Sequence, residues 1–262
     1  MTKTVADIYR RDGIVQVPQL LDAAEVEQIK SVFMDQVAED HSLAIDDGVP
    51  DDDPLARFPR FVHPHRRTDV AAGRIALELM LDRRILDVVT VLIGPALGAQ
   101  SMFYFKPPGA RGQALHQDNT FLRADPETCL AAWIAVDDVD AENGGLAVVP
   151  GSHQTELVCP EPADLTESFT NAEVPVPDGL TKVQTKMRAG DVLFFHGSVV
   201  HGSRPNTSVD RFRRALIFHY IPEDSTEIAA FYNPLVRPDR RTAVLPEAIG
   251  GGPCGDYADA EP

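Results

Sequence analysis

Gln113-Ala114-Leu115-His116-Gln117-Asp118-Asn119-Thr120-Phe121 reads as a short strand with its chemistry on one side. Residues two apart on a strand point to the same face, so His116 and Asp118 stand together and can supply two ligands to one metal ion. The pair alone is weak: a chain with 8 histidines and many aspartates is expected to carry about one His-x-Asp by chance. The neighbouring sequence decides what the stretch belongs to. From Gln100 onward, short apolar runs are separated by Gly, Pro and Asn/Asp turns, at 101–106, 114–121, 130–138, 147–149, 183–187, 192–196 and 212–221. Strands at such intervals, with no helices alternating between them, predict a sandwich or barrel and not a parallel sheet.

Upstream, residues 4–40 predict a helix, a short strand and a second helix. Ile14-Val15-Gln16-Val17 alternates, and Pro18 ends it. Asp22 is placed as an N-cap with Glu25 three residues on, Leu21 can staple against Val26, and Val26, Ile29, Phe33 and Val37 then share a face. Residues 68–97 also predict helix, with Asp82 as a second cap and Gly94-Pro95 as the stop. Between these lies Arg57-Phe58-Pro59-Arg60-Phe61-Val62-His63-Pro64-His65-Arg66-Arg67, the basic cluster of an acidic chain and a loop by composition. Its bland reading is a surface segment paired with nearby carboxylates. Its functional reading is a flap over an active site that holds an anionic or polar substrate. Residues 156–180 read as a long loop or lid, and the Gly-rich tail from Gly250 as mobile.

The 262 residues suit a single domain. It would comprise a helical N-terminal part over about 1–98, a strand core over about 99–222 and a C-terminal extension over about 223–262. A net charge of −16 argues against nucleic acid as a partner, because phosphate binding needs a basic face. The acidic runs read as solvated surface. No apolar run approaches a bilayer span, and the N-terminus lacks the regions of a signal peptide. The cysteines, Cys129, Cys159 and Cys254, are odd in number and unspaced for zinc. A cytoplasmic protein with no membrane attachment is expected, with Cys254 an exposed thiol. Monomer and homodimer both stay open.

Three features support the opening pair. Gly190-Asp191 leads an apolar strand and a turn into His201-Gly202-Ser203, so His201 is a candidate third ligand. Two histidines and one carboxylate on one face of a metal leave three positions open, the arrangement of non-haem Fe(II) oxygenases. Arg211, Arg213 and Arg214 lead into the next strand, and an inward guanidinium there can grip the far end of a dicarboxylate. Trp133, the sole tryptophan, shares a strand face with Cys129, Ala131 and Ala135, whose small size leaves its indole room to line a cavity.

The ordered string Lys106-Pro107-Pro108-Gly109, Gln113 to Asp118, Asn143-Gly144-Gly145-Leu146, Pro150-Gly151-Ser152-His153, Gly190-Asp191, His201-Gly202-Ser203 and Arg213-Arg214-Ala215 resembles the phytanoyl-CoA dioxygenase family, over nearly the whole chain. Within that family it is similar to the bacterial small-molecule branch. The resemblance implies a mainly β fold with flanking helices: a double-stranded β-helix (jelly-roll, cupin-like) core with the N-terminal helices packed on one sheet. It implies Fe(II), 2-oxoglutarate and O2 as cofactor and cosubstrates, with His116, Asp118 and His201 as the catalytic iron ligands. Arg213 would hold the distal carboxylate of 2-oxoglutarate, while Met102, Trp133 and Ser203 match positions that line its pocket. One extra residue between His201 and the arginine, relative to some relatives, keeps Arg211 and Arg214 open. Arg60, His63, Arg66, Asn119 and Phe121 are the candidates for substrate contact.

Halogenating relatives carry a small residue at the position of Asp118, so the aspartate implies oxygenation. The expected reaction is hydroxylation of a C–H bond in a small metabolite or natural product, with release of succinate and CO2. Desaturation, epimerisation and ring formation use the same cofactors and stay open. A non-catalytic metal- or ligand-binding jelly roll is the rival from another class; it predicts metal binding without succinate release. Of the other histidines, His196 and His219 read as packed and His153 as a turn residue.

Overall fold

The structure, a computed structural model, describes residues 4–44 and 49–249. The tail from Gly250 and its Cys254, for which mobility and an exposed thiol were expected, lie outside those residues. Two capping boxes start the chain. Thr4 and Asp22 open α1 (Val5–Asp12) and α2 (Ala23–Glu39), each side chain accepting from the backbone N–H three residues on. Asp7 and Glu25 accept in return from the cap N–H groups. Between the helices lies β1 (Ile14–Val17). After α3 (Pro54–Arg57) and β2 (Phe61–Val62), the helical stretch divides at the Asp82 cap into α4 (Ala71–Met80) and α5 (Arg83–Ile93). Helix stops at Gly94, and β3 (Ala96–Tyr104) begins earlier than the sequence pattern indicates, because its first residues are small and buried on both faces.

The core follows: β4 (Gln113–His116), α6 (Asn119–Leu122), β5 (Leu130–Ala135), β6 (Leu146–Val148), β7 (Glu161–Pro162), β8 (Ala172–Glu173), β9 (Val183–Gln184), β10 (Val192–His196), β11 (His201–Ser203), β12 (Ala215–Pro222), β13 (Leu235–Val236) and β14 (Thr242–Ala243). The large sheet runs β1-β10-β5-β12-β3-β13-β14, with β2 also on β3; the small sheet runs β4-β11-β6-β9, and all these pairings are antiparallel. The expected jelly-roll core with flanking helices is therefore what forms.

Both faces of the large sheet are buried, and alternation divides its residues between two cores. Leu130, Ala132, Ile134, Leu216, Phe218 and Tyr220 face the helices and meet Ile29, Phe33, Met80 and Val89. Ala131, Trp133, Ala135, Ala215 and Ile217 face the small sheet and meet Leu146 and Val148. The Gly190-Asp191 motif serves the fold. Gly190 has φ +93°, and a Cβ there would stand 2.4 Å from Leu21 O. Asp191 accepts from Gln16 Nε2 at 2.8 Å and Gln19 N at 2.9 Å, tying the end of β1 to the start of β10.

Two expectations are corrected. The strand expected over 114–121 ends at His116, because Phe121 N and Leu122 N both bond to Asp118 O and curl the chain into α6. The 57–67 segment, a loop by composition, carries a strand and a helical turn. Phe61 and Val62 pair with Phe103 and Met102, and Pro64 then turns His63 and His65 into buried positions. Among the described residues no helix is long and apolar enough to cross a membrane.

Phe33 is fully buried and stacks on Phe103 at 4.0 Å between ring centroids. Phe33→Ala is expected to cost about 3–5 kcal/mol of unfolding free energy, read as a lower urea midpoint with an unchanged slope. A loss below about 1 kcal/mol would contradict the packing role assigned to α2.

Candidate active site

The antiparallel register of β11 with β4 sets His201 opposite His116, with the ring centroids 4.2 Å apart. Asp118 reaches the same point from the first turn of α6, in helical conformation (φ −62°, ψ −32°) and not from a strand. Its Oδ1 lies 3.7 Å from Nε2 of each histidine. The three residues offer one ligand atom each, all within 4.8 Å of one another. His116 Nδ1 faces Ala114 O and His201 Nδ1 faces Val199 O, both at 2.9 Å. Each Nδ1 therefore carries the proton, and each Nε2 turns a lone pair toward the shared centre. Burial, with the charge of His201 second, lowers the pKa of His116 to about 4, which keeps the ring neutral near pH 7. Burial pushes the Asp118 carboxyl up, but His201, His219 and His116 together outweigh it and hold it below the ordinary range. The set offers two imidazole nitrogens and one carboxylate to a single divalent cation.

A cavity of about 990 Å³ opens in front of these ligands. Met102, Trp133, Ser203 and Arg213 line it, as do Arg60 and Phe121. Arg213 is 3% exposed; its Nε donates to Gly144 O at 3.3 Å and its guanidinium carbon lies 5.6 Å from the Trp133 ring centroid. Lys106, fully enclosed, donates to Gly144 O at 3.2 Å, Arg204 O at 2.7 Å and Ser203 Oγ at 2.7 Å. Burial lowers Arg213 to about 10 and Lys106 well below its usual value, the latter with help from the Arg213 charge. The two buried side chains thus share the Gly144 carbonyl and meet only neutral acceptors, and neither forms a salt bridge among the described residues. The neighbouring arginines differ. Arg214 makes a bidentate pair with Asp137, at 2.8 and 2.7 Å, and Arg211 pairs with Asp140 and Glu142. The Asn143-Gly144-Gly145 turn has a role its sequence does not announce: Gly144, at φ +70°, aims its carbonyl at both Arg213 and Lys106.

Three candidates for substrate contact do not reach the cavity wall. Asn119 is buried and donates to Ser198 Oγ at 2.7 Å. His63 packs edge-on against Phe231 at 4.8 Å, and Arg66 Nη2 donates to Tyr232 O at 2.8 Å. These two support the C-terminal turn, whose Phe231 and Tyr232 do line the cavity. Arg60 stands inside, donating to Tyr104 OH at 3.2 Å and lying over the Tyr104 and Phe169 rings. The 156–180 insertion adds the outer wall: Ser168 Oγ accepts from Ala114 N at 2.9 Å, Val174 N bonds to Leu115 O, and Phe169, Thr170 and Asn171 face inward. His219, read as packed, also reaches the site: its Nε2 donates to Asp118 Oδ2 at 3.2 Å. Its strand parity with Arg213 was the signal available in the sequence.

A sequence profile of the Phytanoyl-CoA dioxygenase (PhyH) family matches residues 9–215. Over 129 residues the chain is 36% identical to Phytanoyl-CoA dioxygenase 1 of Oryza sativa subsp. japonica, covering 49% of this chain and 46% of that protein. The chain spans about half the length of the curated relatives it matches. Among solved structures it is similar to the non-heme alpha ketoglutarate dependent carbocyclase SnoK from nogalamycin biosynthesis, with TM-score 0.67, 28% identity and 86% of both chains covered. The epimerase SnoN, in complex with Fe3+, alpha ketoglutarate and nogalamycin RO, shares the fold at TM-score 0.67 and 23% identity, over 97% of this chain and 95% of that one.

In a metal titration, Asp118→Ala and His201→Ala are each expected to weaken Co(II) or Fe(II) binding by more than the roughly 10–100-fold that outer partners of a metal site are worth. Affinity unchanged in either variant would remove that residue from the ligand set.

Proposed function

Because the chain belongs to the phytanoyl-CoA dioxygenase family of Fe(II)- and 2-oxoglutarate-dependent oxygenases, we propose that it is a dioxygenase oxidising a C–H bond of a small-molecule substrate. One observation carries the reading: three converging ligand atoms, with both imidazole protons turned away, share a cavity with a buried guanidinium that has no carboxylate partner among the described residues. The donor set fits iron, with two imidazole nitrogens and one carboxylate leaving three positions open. The Arg213 guanidinium fits the far carboxylate of a dicarboxylate, since an anion there would neutralise a desolvated cation on the cavity wall. With iron and 2-oxoglutarate bound, such a site couples oxidative decarboxylation of the cosubstrate to oxidation of the substrate, releasing succinate and CO2.

The protein's own part is positioning and exclusion of water. Arg213 grips the cosubstrate; Trp133, Met102 and Ser203 border that pocket; the lid residues and Phe121 close the space in which a substrate C–H must approach. Hydroxylation is the reaction we assign, with a small metabolite or natural product as substrate. Asp118 supports it by filling the coordination position that a halide would otherwise take. The likeness to enzymes of nogalamycin biosynthesis supports the substrate class.

Anaerobic addition of 2-oxoglutarate to the Fe(II) protein is expected to raise a weak visible charge-transfer band. Metal binding without the band would favour a non-catalytic metal protein. Arg213→Ala should raise the 2-oxoglutarate needed by on the order of 30-fold or more, the cost of truncating one partner of a buried charged pair. Arg214→Ala should leave it largely unchanged, since the Arg214 guanidinium is taken up by Asp137 and does not line the cavity. The reverse pattern would move the anchor to Arg214. Arg60→Ala is expected to depress substrate turnover more than substrate-free succinate formation, and equal loss of both would remove Arg60 from the substrate contacts.

A further inference from the structure

The three metal-facing side chains are not held alike. His116 and His201 are each pinned by their own chain through Nδ1. Asp118 stands off the strand, at the head of a four-residue helix. The one hydrogen bond its carboxylate accepts among the described residues comes from His219 Nε2, at 3.2 Å on Oδ2. Oδ1 is left facing both histidines at 3.7 Å. The carboxylate is thereby divided: one oxygen for the metal, the other for His219.

His219 is placed for this by the sheet. It lies in β12, between β5 and β3 in the interior of the large sheet. On its β3 side the register slips there: His219 opposes Gln100, whereas Tyr220 opposes Gly98. Such a bulge re-aims a side chain next to a functional site. The fold also tolerates a cost, since buried His219 Nδ1 and the Nε2 of its cross-strand neighbour Gln100 both lack hydrogen-bond partners.

We propose that His219 is a positioning residue that holds Asp118 to a single metal-bound oxygen and so preserves the open coordination positions. A carboxylate free to swing can offer both oxygens and occupy a position that 2-oxoglutarate or O2 requires. The inference rests on the iron-dependent reading above, and its test separates the two. His219→Gln keeps an amide donor of similar reach; His219→Asn keeps polarity but is too short; His219→Leu has no donor. Three readouts are compared: Co(II) affinity, the absorption spectrum of the Co(II) protein as a measure of coordination number, and the anaerobic Fe(II)–2-oxoglutarate band, each checked against Tm.

Asn and Leu variants are expected to lose on the order of 10–100-fold in metal affinity and to shift or lose the 2-oxoglutarate band at near wild-type Tm, while Gln restores both to within a few-fold. Should the Leu variant fail to fold, Asn against Gln decides. Wild-type spectra and affinity in the Asn variant would overturn the proposal, as would a Gln variant as impaired as Asn. Absence of the band in the wild-type protein would instead count against the dioxygenase reading itself.

Discussion

The register of β11 on β4 is the constraint on which the rest depends. Opposing His201 to His116 places both Nε2 atoms on one side of the small sheet. A slip of one residue would turn one imidazole to the other face and leave no shared centre. That register is held from both sides. β6 pairs with β11 through Val148 opposite His201, and the 156–180 insertion bonds along the free edge of β4 through Ser168 and Val174. The insertion is therefore a brace for the strand that carries His116 as well as a wall of the cavity.

The large sheet does a different job. Its outer face is sealed by α2, α4 and α5, and its inner face supplies Trp133, Ile217, His219 and, just before β12, Arg213. Burial on both faces gives these side chains a rigid base and a low dielectric. A buried guanidinium is costly in such a place. The Gly144 carbonyl offsets part of that cost for Arg213, and an anionic ligand would offset the rest; the carbonyls of Gly144 and Arg204 and the Ser203 hydroxyl take the three donors of Lys106. The acidic character of the chain is spent elsewhere, on partners such as Asp137 for Arg214 and Asp140 for Arg211.

Those partners explain what was legible in the sequence. His116, Asp118 and His201 could be read because a short local pattern and a downstream small-residue turn carry them, and the helix caps could be read because capping is local. Asp118 was placed on a strand when it begins a helix; the His-x-Asp spacing survives either backbone, so the spacing alone could not tell them apart. Choosing among Arg211, Arg213 and Arg214 depends on which carboxylates lie across the fold, and sequence spacing does not carry that. The same holds for Phe231 and Tyr232, which arrive at the cavity from the C-terminal extension, and for His63 and Arg66, which support them from behind. His219 showed the right parity but no partner, since Asp118 is distant in sequence.

The dioxygenase reading proposed above requires the chain to cleave a dicarboxylate cosubstrate. The direct test supplies the protein with Fe(II), O2 and 2-oxoglutarate labelled with ¹³C at C1, and follows labelled CO2 and succinate together. The account predicts their release in equal amounts, dependent on both iron and O2. Stoichiometric metal binding with no labelled CO2 above the protein-free background would contradict it.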